Sequence, residues 1–248
     1  MMKEFKPNCI DDFLISNQED RRKIELILSR QLPFPFGGKS GILFHGTWGT
    51  GKSTLATLLP ELIEMSFSGD WNLSDGVGQM PPPVTDHCQK EVFRCGGGLS
   101  STVITQTIHK FNMRLPLWHY SQHDYFVFDE VDRLTMAGQQ SLRSTMDLKR
   151  CKFLFTTNYL SKIDPGIVNR CHLIEMNQVA DPKAYVPIGQ AILKSMGVDS
   201  NKVSQKILEN FAVKARGSMR EFTDSVAMEA LSIGGEIPPS LMNKLNPA

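Results

Sequence analysis

The sequence predicts an α/β protein: a five-stranded parallel sheet with helices on both faces, followed by a small all-helical domain. Three observations predict it. Short apolar runs that read as buried strands alternate with helical stretches between residues 41 and 176. The first of these strands passes through a glycine-rich turn directly into a helix, Gly41 to Leu59. From Val179 the apolar spacing becomes purely helical. The expected division is a core over residues 1–178, a helical unit over 179–234 and a tail over 235–248.

In chain order, Ser16-Asn17-Gln18-Glu19 reads as a capping box opening a helix through about Arg30, with Ile24, Leu26, Ile27 and Leu28 on its buried side. Pro33, Pro35 and Gly37-Gly38 end it and lead into the strand Ile42-Leu43-Phe44. The helix that follows meets Pro60, which predicts a kink or an irregular end. Residues 66–90 hold three glycines and Pro81-Pro82-Pro83 without periodicity, and read as a long loop or insertion. Glu91–Cys95 reads as a second strand, and Ser101 as the cap of a helix with Ile104, Ile108 and Phe111 on one face. Tyr125–Phe128 is the clearest strand. A helix with Leu142 and Met146 leads to the strand Lys152–Thr157, Asp164-Pro165 opens a short helix, and Cys171–Met176 reads as the fifth strand. Beyond residue 180, Ile188 with Ile192 and Leu193, then Val203 with Ile207 and Phe211, then Met219 with Phe222 and Val226 mark three helices.

Composition narrows the classes. At 248 residues, 41% hydrophobic and 21% charged, the chain suits a globular domain with a satellite, and no apolar run is long enough to span a bilayer. No signal peptide is read at the start, and five scattered cysteines suit a reducing, cytoplasmic setting. A formal net charge of +1 gives no global pull towards nucleic acid, so any such contact needs a local patch.

The chemistry begins at Gly46-Thr47-Trp48-Gly49-Thr50-Gly51-Lys52-Ser53, which fits G-x-x-x-x-G-K-[ST] at every fixed position, with Thr54 next on the helix. Glycines let successive N–H groups turn towards an anion, and the helix start adds its unpaired N–H groups and dipole. Lys52 is expected to reach the β- and γ-phosphates of a nucleotide and Ser53 to ligate Mg²⁺. A lysine in a first helical turn with no anion nearby costs about 0.3–1 kcal/mol, which an ordinary surface turn leaves unexplained. Four apolar residues followed by Asp129-Glu130-Val131-Asp132 form a Walker B arrangement. Asp129 is expected to hold the Mg²⁺ water shell and Glu130 to polarise an attacking water. Asn158 ends the next strand, where its amide either orients that water or senses the γ-phosphate, or it serves as a turn residue. Arg220 stands in a first helical turn behind a Ser218/Glu221 capping box, so either Glu221 or a phosphate neutralises it.

These residues resemble the AAA+ ATPases, and within them the clamp-loader group, the replication factor C small subunits and their phage counterparts. Phe126 to Thr135 and Gln139 to Met146 are similar to that group's Walker B strand and succeeding helix, and Thr157 to Ile163 to its sensor 1 segment. Asn169-Arg170-Cys171 resembles the Ser-Arg-Cys box, with Asn169 in the serine's place, and Gly217 to Arg220 resembles the sensor 2 helix of the lid. Lys6-Pro7 and Ile10–Phe13 look like the segment that packs near the adenine. The resemblance implies a strand order 5-1-4-3-2, ATP and Mg²⁺ as cofactors, and Arg170 as a finger reaching a neighbouring subunit's ATP. It also implies an oligomer, and as partners DNA, a sliding clamp or another replication protein. The group's further collar domain finds no length here, which favours an ATP-driven oligomeric machine over clamp loading as such.

Two rival readings remain at this point: a loader or remodeller of another protein, and a nucleotide-dependent switch with negligible turnover. Glu130 and Arg170 speak against the switch, since binding alone needs neither. Arg133, Arg143, Lys149 and Arg150 flank the helix after Walker B, and serve either as a DNA-facing patch or as a solvated face. His87, Cys88, Cys95, His119 and His123 show no zinc-site spacing, and Trp71 and Trp118 read either as partner-facing anchors or, the more common use of an indole, as packing residues.

Overall fold

In a computed structural model, which describes residues 7, 9–68, 88–96, 100–113, 121 and 123–235, five parallel strands form one sheet. They are β1 (Gly41–His45), β2 (Gln89–Arg94), β3 (Asp124–Asp129), β4 (Cys151–Thr157) and β5 (Cys171–Glu175). Their order is β2-β3-β4-β1-β5, which read from the other edge is the expected 5-1-4-3-2. Side chains alternate between two faces of the sheet. Ile42, Phe44, Tyr125, Val127 and Leu154 enter one core with residues of α1 (Gln18–Leu28) and α2 (Lys52–Ser68). Leu43, Phe126, Phe128, Phe153 and Phe155 enter the other, with residues of α3 (Ser101–Asn112), α4 (Met136–Thr145) and α5 (Pro165–Asn169). Four stacked phenylalanine pairs, from Phe93–Phe128 at 4.8 Å to Phe153–Phe155 at 6.1 Å, run across this second core. Such pairs contribute about 0.5–1.5 kcal/mol each beyond area burial.

Several helix boundaries differ from expectation. Asn17, not Ser16, caps α1: its Oδ1 accepts from the Glu19 N–H at 2.9 Å. Ser100, not Ser101, caps α3, accepting from the Val103 N–H at 3.3 Å. Pro60 does not end α2, which continues to Ser68. An internal proline costs about 3 kcal/mol. Leu55, Leu59, Leu62, Ile63 and Met65 are buried on both sides of it, and full burial of one such side chain stabilises by roughly 1.5–3 kcal/mol. Packing therefore outweighs the missing hydrogen bond. Within the stretch 66–90, residues 66–68 continue α2 and β2 begins at Gln89, while 69–87 lie outside the described residues.

Lys152 of β4 is fully buried, and its Nζ donates to the carbonyls of Lys149 at 2.8 Å and Cys151 at 3.3 Å. Burial pushes its pKa down from 10.5 to about 8. The unfolded chain therefore holds this proton more tightly, and the cost to stability is full below about pH 8 and fades as pH rises towards 10.5. Lys152→Met should flatten that rise: urea unfolding at pH 7 and pH 9.5 should show a smaller stability gain with pH in the variant than in the wild type. An equal gain in both would show that Lys152 is not its source.

The chain divides into two compact units, and the sheet with its helices belongs to the one formed by described residues 9–47 and 52–176. The second takes in Pro7, Trp48–Gly51 and residues 177–235. Its helices are α6 (Val186–Ser195), α7 (Gln205–Ala215) and α8 (Met219–Ser232). Tyr185 meets Phe222 edge-on at 5.2 Å, beside buried Ile188, Ile192, Leu193, Leu208 and Val226. The buried stripe of α7 is Leu208, Ala212 and Ala215, one position on from the expected Ile207 and Phe211, which are half-buried. Val203 precedes the helix. Leu208 of this stripe packs where Gly189 of α6 leaves room, since a Cβ on Gly189 would lie 3.0 Å from Leu208 Cδ2.

Candidate functional site

The phosphate-loop motif lies between β1 and α2, at the carboxyl edge of the sheet, where ligands of open α/β folds gather. Gly46, Gly49 and Gly51 all take positive φ, at 138°, 76° and 91°. Lys52 is the first residue of α2 and is buried, and its Nζ donates to the carbonyls of Gly46, at 3.2 Å, and Thr47. Burial lowers its pKa to about 8, against the opposing pull of the Asp129 and Asp132 carboxylates. A lysine that donates to neutral carbonyls can exchange them for an anion, to which a charge-assisted bond is stronger. Ser53 and Thr54 are exposed, Thr50 is buried, and the Trp48 indole is 62% exposed.

The acidic end of β3 is joined to the loop by one hydrogen-bonded chain. Ser53 Oγ donates to Asp129 Oδ1 at 2.6 Å, and Thr156 Oγ1 donates to the same oxygen at 2.6 Å. The Thr156 hydroxyl in turn accepts from the Glu130 N–H at 2.9 Å. Glu130 has left-handed backbone angles, φ 57° and ψ 51°, a conformation costing a non-glycine residue on the order of 1–3 kcal/mol. The bond from Thr156 is a visible restraint on that strain. The Glu130 carboxylate meets Arg133 Nε at 2.8 Å. A serine hydroxyl and a carboxylate are the hard oxygen donors that Mg²⁺ takes together with phosphates and water, so Ser53 and Asp129 fit that ion.

Asn158 follows β4, half-buried, and among the described residues its amide has no hydrogen-bond partner. The neighbouring Thr157 Oγ1 donates to Asp132 Oδ1 at 2.6 Å and accepts from the Tyr159 N–H at 3.0 Å, which shapes the turn that carries Asn158. Gln139, nearly fully buried in α4, holds the next segment. Its Nε2 donates to the carbonyls of Leu134 and Lys162 at 3.3 and 3.2 Å, and its Oε1 accepts from the Asp164 N–H at 2.7 Å. Asp164 then caps α5 through the N–H groups of Gly166 and Ile167.

Arg170 closes α5, and within this chain it pairs with Asp147: Nε lies 3.1 Å from Oδ1 and Nη2 3.4 Å from Oδ2. Both partners are partly exposed, and such surface pairs contribute about 0–1 kcal/mol, so the guanidinium can exchange this carboxylate for a stronger anion. Of the four basic residues around α4, Arg133 pairs with Glu130, Arg143 with Asp164 at 3.3 Å and Arg150 with Asp124 at 3.7 Å; Lys149 is exposed. Most of that patch is thus neutralised by carboxylates of the same chain. His87, His119, Trp71 and Trp118 lie outside the described residues.

In the second unit, Ser218 caps α8, accepting from the Glu221 N–H at 3.3 Å, and the Met219 N–H donates to the Gly49 carbonyl at 2.8 Å. A Cβ on Gly49 would come within 2.6 Å of Ser218 Oγ, so this position needs glycine for contact as well as for φ. Arg220 is exposed, and among the described residues it has no ion-pair partner, Glu221 included. Pro7 is half-buried, with 1–6 and 8 outside the described residues.

Sequence reasoning missed Thr156, Gln139 and Asp147. Thr156 and Gln139 act through hydrogen bonds across 25–27 positions, and Asp147 meets Arg170 across 23. The signal available was polarity at positions that strand and helix periodicity would bury.

Residues 42–178, more than half of the chain, match the family described as "ATPase family associated with various cellular activities (AAA)". The chain is 24% identical over 234 residues to Replication factor C small subunit 2 of Pyrobaculum islandicum, covering 92% of this chain and 62% of that protein. It is 25% identical over 241 residues to Replication factor C subunit 5 of Mus musculus, covering 94% of this chain and 61% of the relative. The chain thus spans about 62% of the length of such relatives. The solved Thermotoga maritima RuvB Holliday junction branch migration motor matches its fold with a TM-score of 0.63 at 16% identity, over 96% of this chain and 71% of that one. The matched stretch contains the phosphate loop, the acidic end of β3, Asn158 and Arg170, and on this ground the chain belongs to the AAA family of ATPases.

Proposed function

We propose that this chain binds Mg-ATP at the phosphate loop and hydrolyses it within an oligomer, as a clamp-loader-like factor in cytoplasmic DNA replication. The observation that carries the reading is the chain Ser53–Asp129–Thr156–Glu130, which ties the start of α2, the Asp129 carboxylate and the Glu130 backbone together. Phosphoryl transfer asks a protein mainly for such positioning and for charge neutralisation. Lys52 exchanges its two carbonyls for β- and γ-phosphate oxygens. Ser53 and Asp129 would hold Mg²⁺, which neutralises charge on the phosphates. Glu130 leaves Arg133 to polarise the attacking water, and the unengaged Asn158 amide orients it. Gly46 to Gly51 wrap the phosphates, and Thr54 adds to the first turn of α2. Arg170 serves the ATP of a neighbouring subunit.

The replication role rests on the similarity to replication factor C subunits. Measuring ATP turnover with primed DNA plus a sliding clamp, with single-stranded DNA and without DNA tests it. Primed DNA and clamp should stimulate turnover most. Equal rates in all three conditions would remove the DNA-directed part of the reading and leave the ATPase.

A further inference from the structure

The residue that enters β1 also holds the backbone on which Arg170 stands. Phe36 and Lys39 exchange backbone hydrogen bonds, Phe36 N–H to the Lys39 carbonyl at 3.3 Å and Lys39 N–H to the Phe36 carbonyl at 3.0 Å. Gly37 and Gly38 form the two-residue turn between them, at φ 62° and 77°, so the hairpin is tight and the origin of the Lys39 side chain is restrained. From there Lys39 Nζ donates to the Cys171 carbonyl at 2.6 Å and the Asn169 carbonyl at 3.3 Å. The carbonyl between these two, that of Arg170, accepts from the Ser40 and Gly41 N–H groups at 3.1 Å each. Three successive carbonyls, those of the last residue of α5, its cap and the first residue of β5, are thus taken by three successive residues. The same segment grips the other half of the Arg170 ion pair: Ser40 Oγ, buried, donates to the carbonyl of Met146, next to Asp147, at 2.7 Å. Gly41 seals the seat, since a Cβ there would lie 2.7 Å from Cys171 Sγ and 3.1 Å from Met146 Cε.

We infer that Lys39 is a positioning residue for Arg170: it orients the arginine that one protomer presents to the next. The inference rests on the trans role proposed for Arg170. A lysine whose only task was to close the end of α5 would matter for stability alone. Here its two bonds flank the Cα of the residue whose guanidinium must meet a phosphate, and a displacement of about 1 Å at a reacting centre can cost on the order of 10²-fold in rate.

The test uses Lys39→Met, which keeps the stem and removes the donors, with Lys39→Arg as the conservative variant. Lys39→Met should lower ATPase kcat about 10–100-fold, with nucleotide affinity and Tm near wild type, and Lys39→Arg should recover part of the loss. Mixing separates finger from active site. Lys39→Met with Glu130→Gln should regain activity, because one class of interface joins an intact Glu130 site to an intact Lys39–Arg170 finger. Lys39→Met with Arg170→Ala should not, because both lesions lie on the finger side. If that second mixture recovers and the first does not, Lys39 acts on its own phosphate loop through β1 and the inference is overturned. Wild-type kcat in folded Lys39→Met overturns it as well. The control mixture, Arg170→Ala with Glu130→Gln, reads the trans role separately: its failure removes that role and this inference together, whereas its success beside a fully active Lys39→Met removes the inference alone.

Discussion

Mixing folded Arg170→Ala with folded Glu130→Gln is expected to restore ATPase activity that neither variant shows alone. Each lesion should be severe by itself. Arginine fingers are worth on the order of 10³–10⁵ in rate, and a glutamine at position 130 cannot polarise water as a carboxylate does. In a head-to-tail assembly, an interface that joins Glu130 of the first variant to Arg170 of the second carries both native groups. Random equal mixing makes roughly a quarter of interfaces intact. Activity should climb towards that fraction, or stay below it where sites fire in concert. The structure makes the rival explicit. Arg170 already has a carboxylate, Asp147, in its own chain. If that pair were its whole purpose, the mixture would stay inactive at every ratio and concentration, and the specific activity of the wild type would not depend on protein concentration. The exposure of the pair argues that the arginine is only parked there, since a pair so open to water holds weakly.

The second large effect separates binding from turnover. Lys52→Ala should weaken ATP binding on the order of 10-fold or more, because a charge-assisted contact to the phosphates is lost. Glu130→Gln should bind ATP normally and fail to hydrolyse it. The geometry sharpens both expectations. Lys52 Nζ donates to the Gly46 and Thr47 carbonyls at the loop, beside the position where the phosphates of a nucleotide would sit. The Glu130 side chain is held by Arg133 rather than by the loop, and the Glu130 N–H that restrains its backbone is untouched by the amide replacement. Isothermal titration calorimetry with ATP, beside a phosphate-release assay, reads the two quantities. Equal loss of affinity in both variants would show that the roles are misassigned. Burial lowers the Lys52 pKa to about 8, and bound phosphates would raise it again. ATP binding at pH 8.5 should therefore take up protons from the buffer in the wild type and not in Lys52→Ala.

Much of this protein was legible in the sequence because the information is local. The phosphate loop needs its residues at fixed spacing within eight positions. A buried strand announces itself by consecutive apolar residues, and the two carboxylates at its end need only be next in line. Alternating strands and helices constrain the connections to a parallel sheet, which is why the fold class could be read and why the strand order agreed with what resemblance implied. Local rules failed where tertiary packing overrode them. Pro60 lies inside α2 because apolar residues on both sides of it are buried, and the buried stripe of α7 runs through Leu208 rather than Ile207, with Leu208 packed against Gly189 of α6. The partners of the site residues were beyond sequence reasoning for a different reason. Thr156 reaches Asp129 and Glu130, Asp147 takes Arg170, and Lys39 clasps Asn169 and Cys171 across 130 and 132 positions. A hydrogen bond depends on where two atoms sit to within a few tenths of an ångström. Spacing along the chain carries that information only within a turn or a helix, and between strands the packed sheet alone decides it.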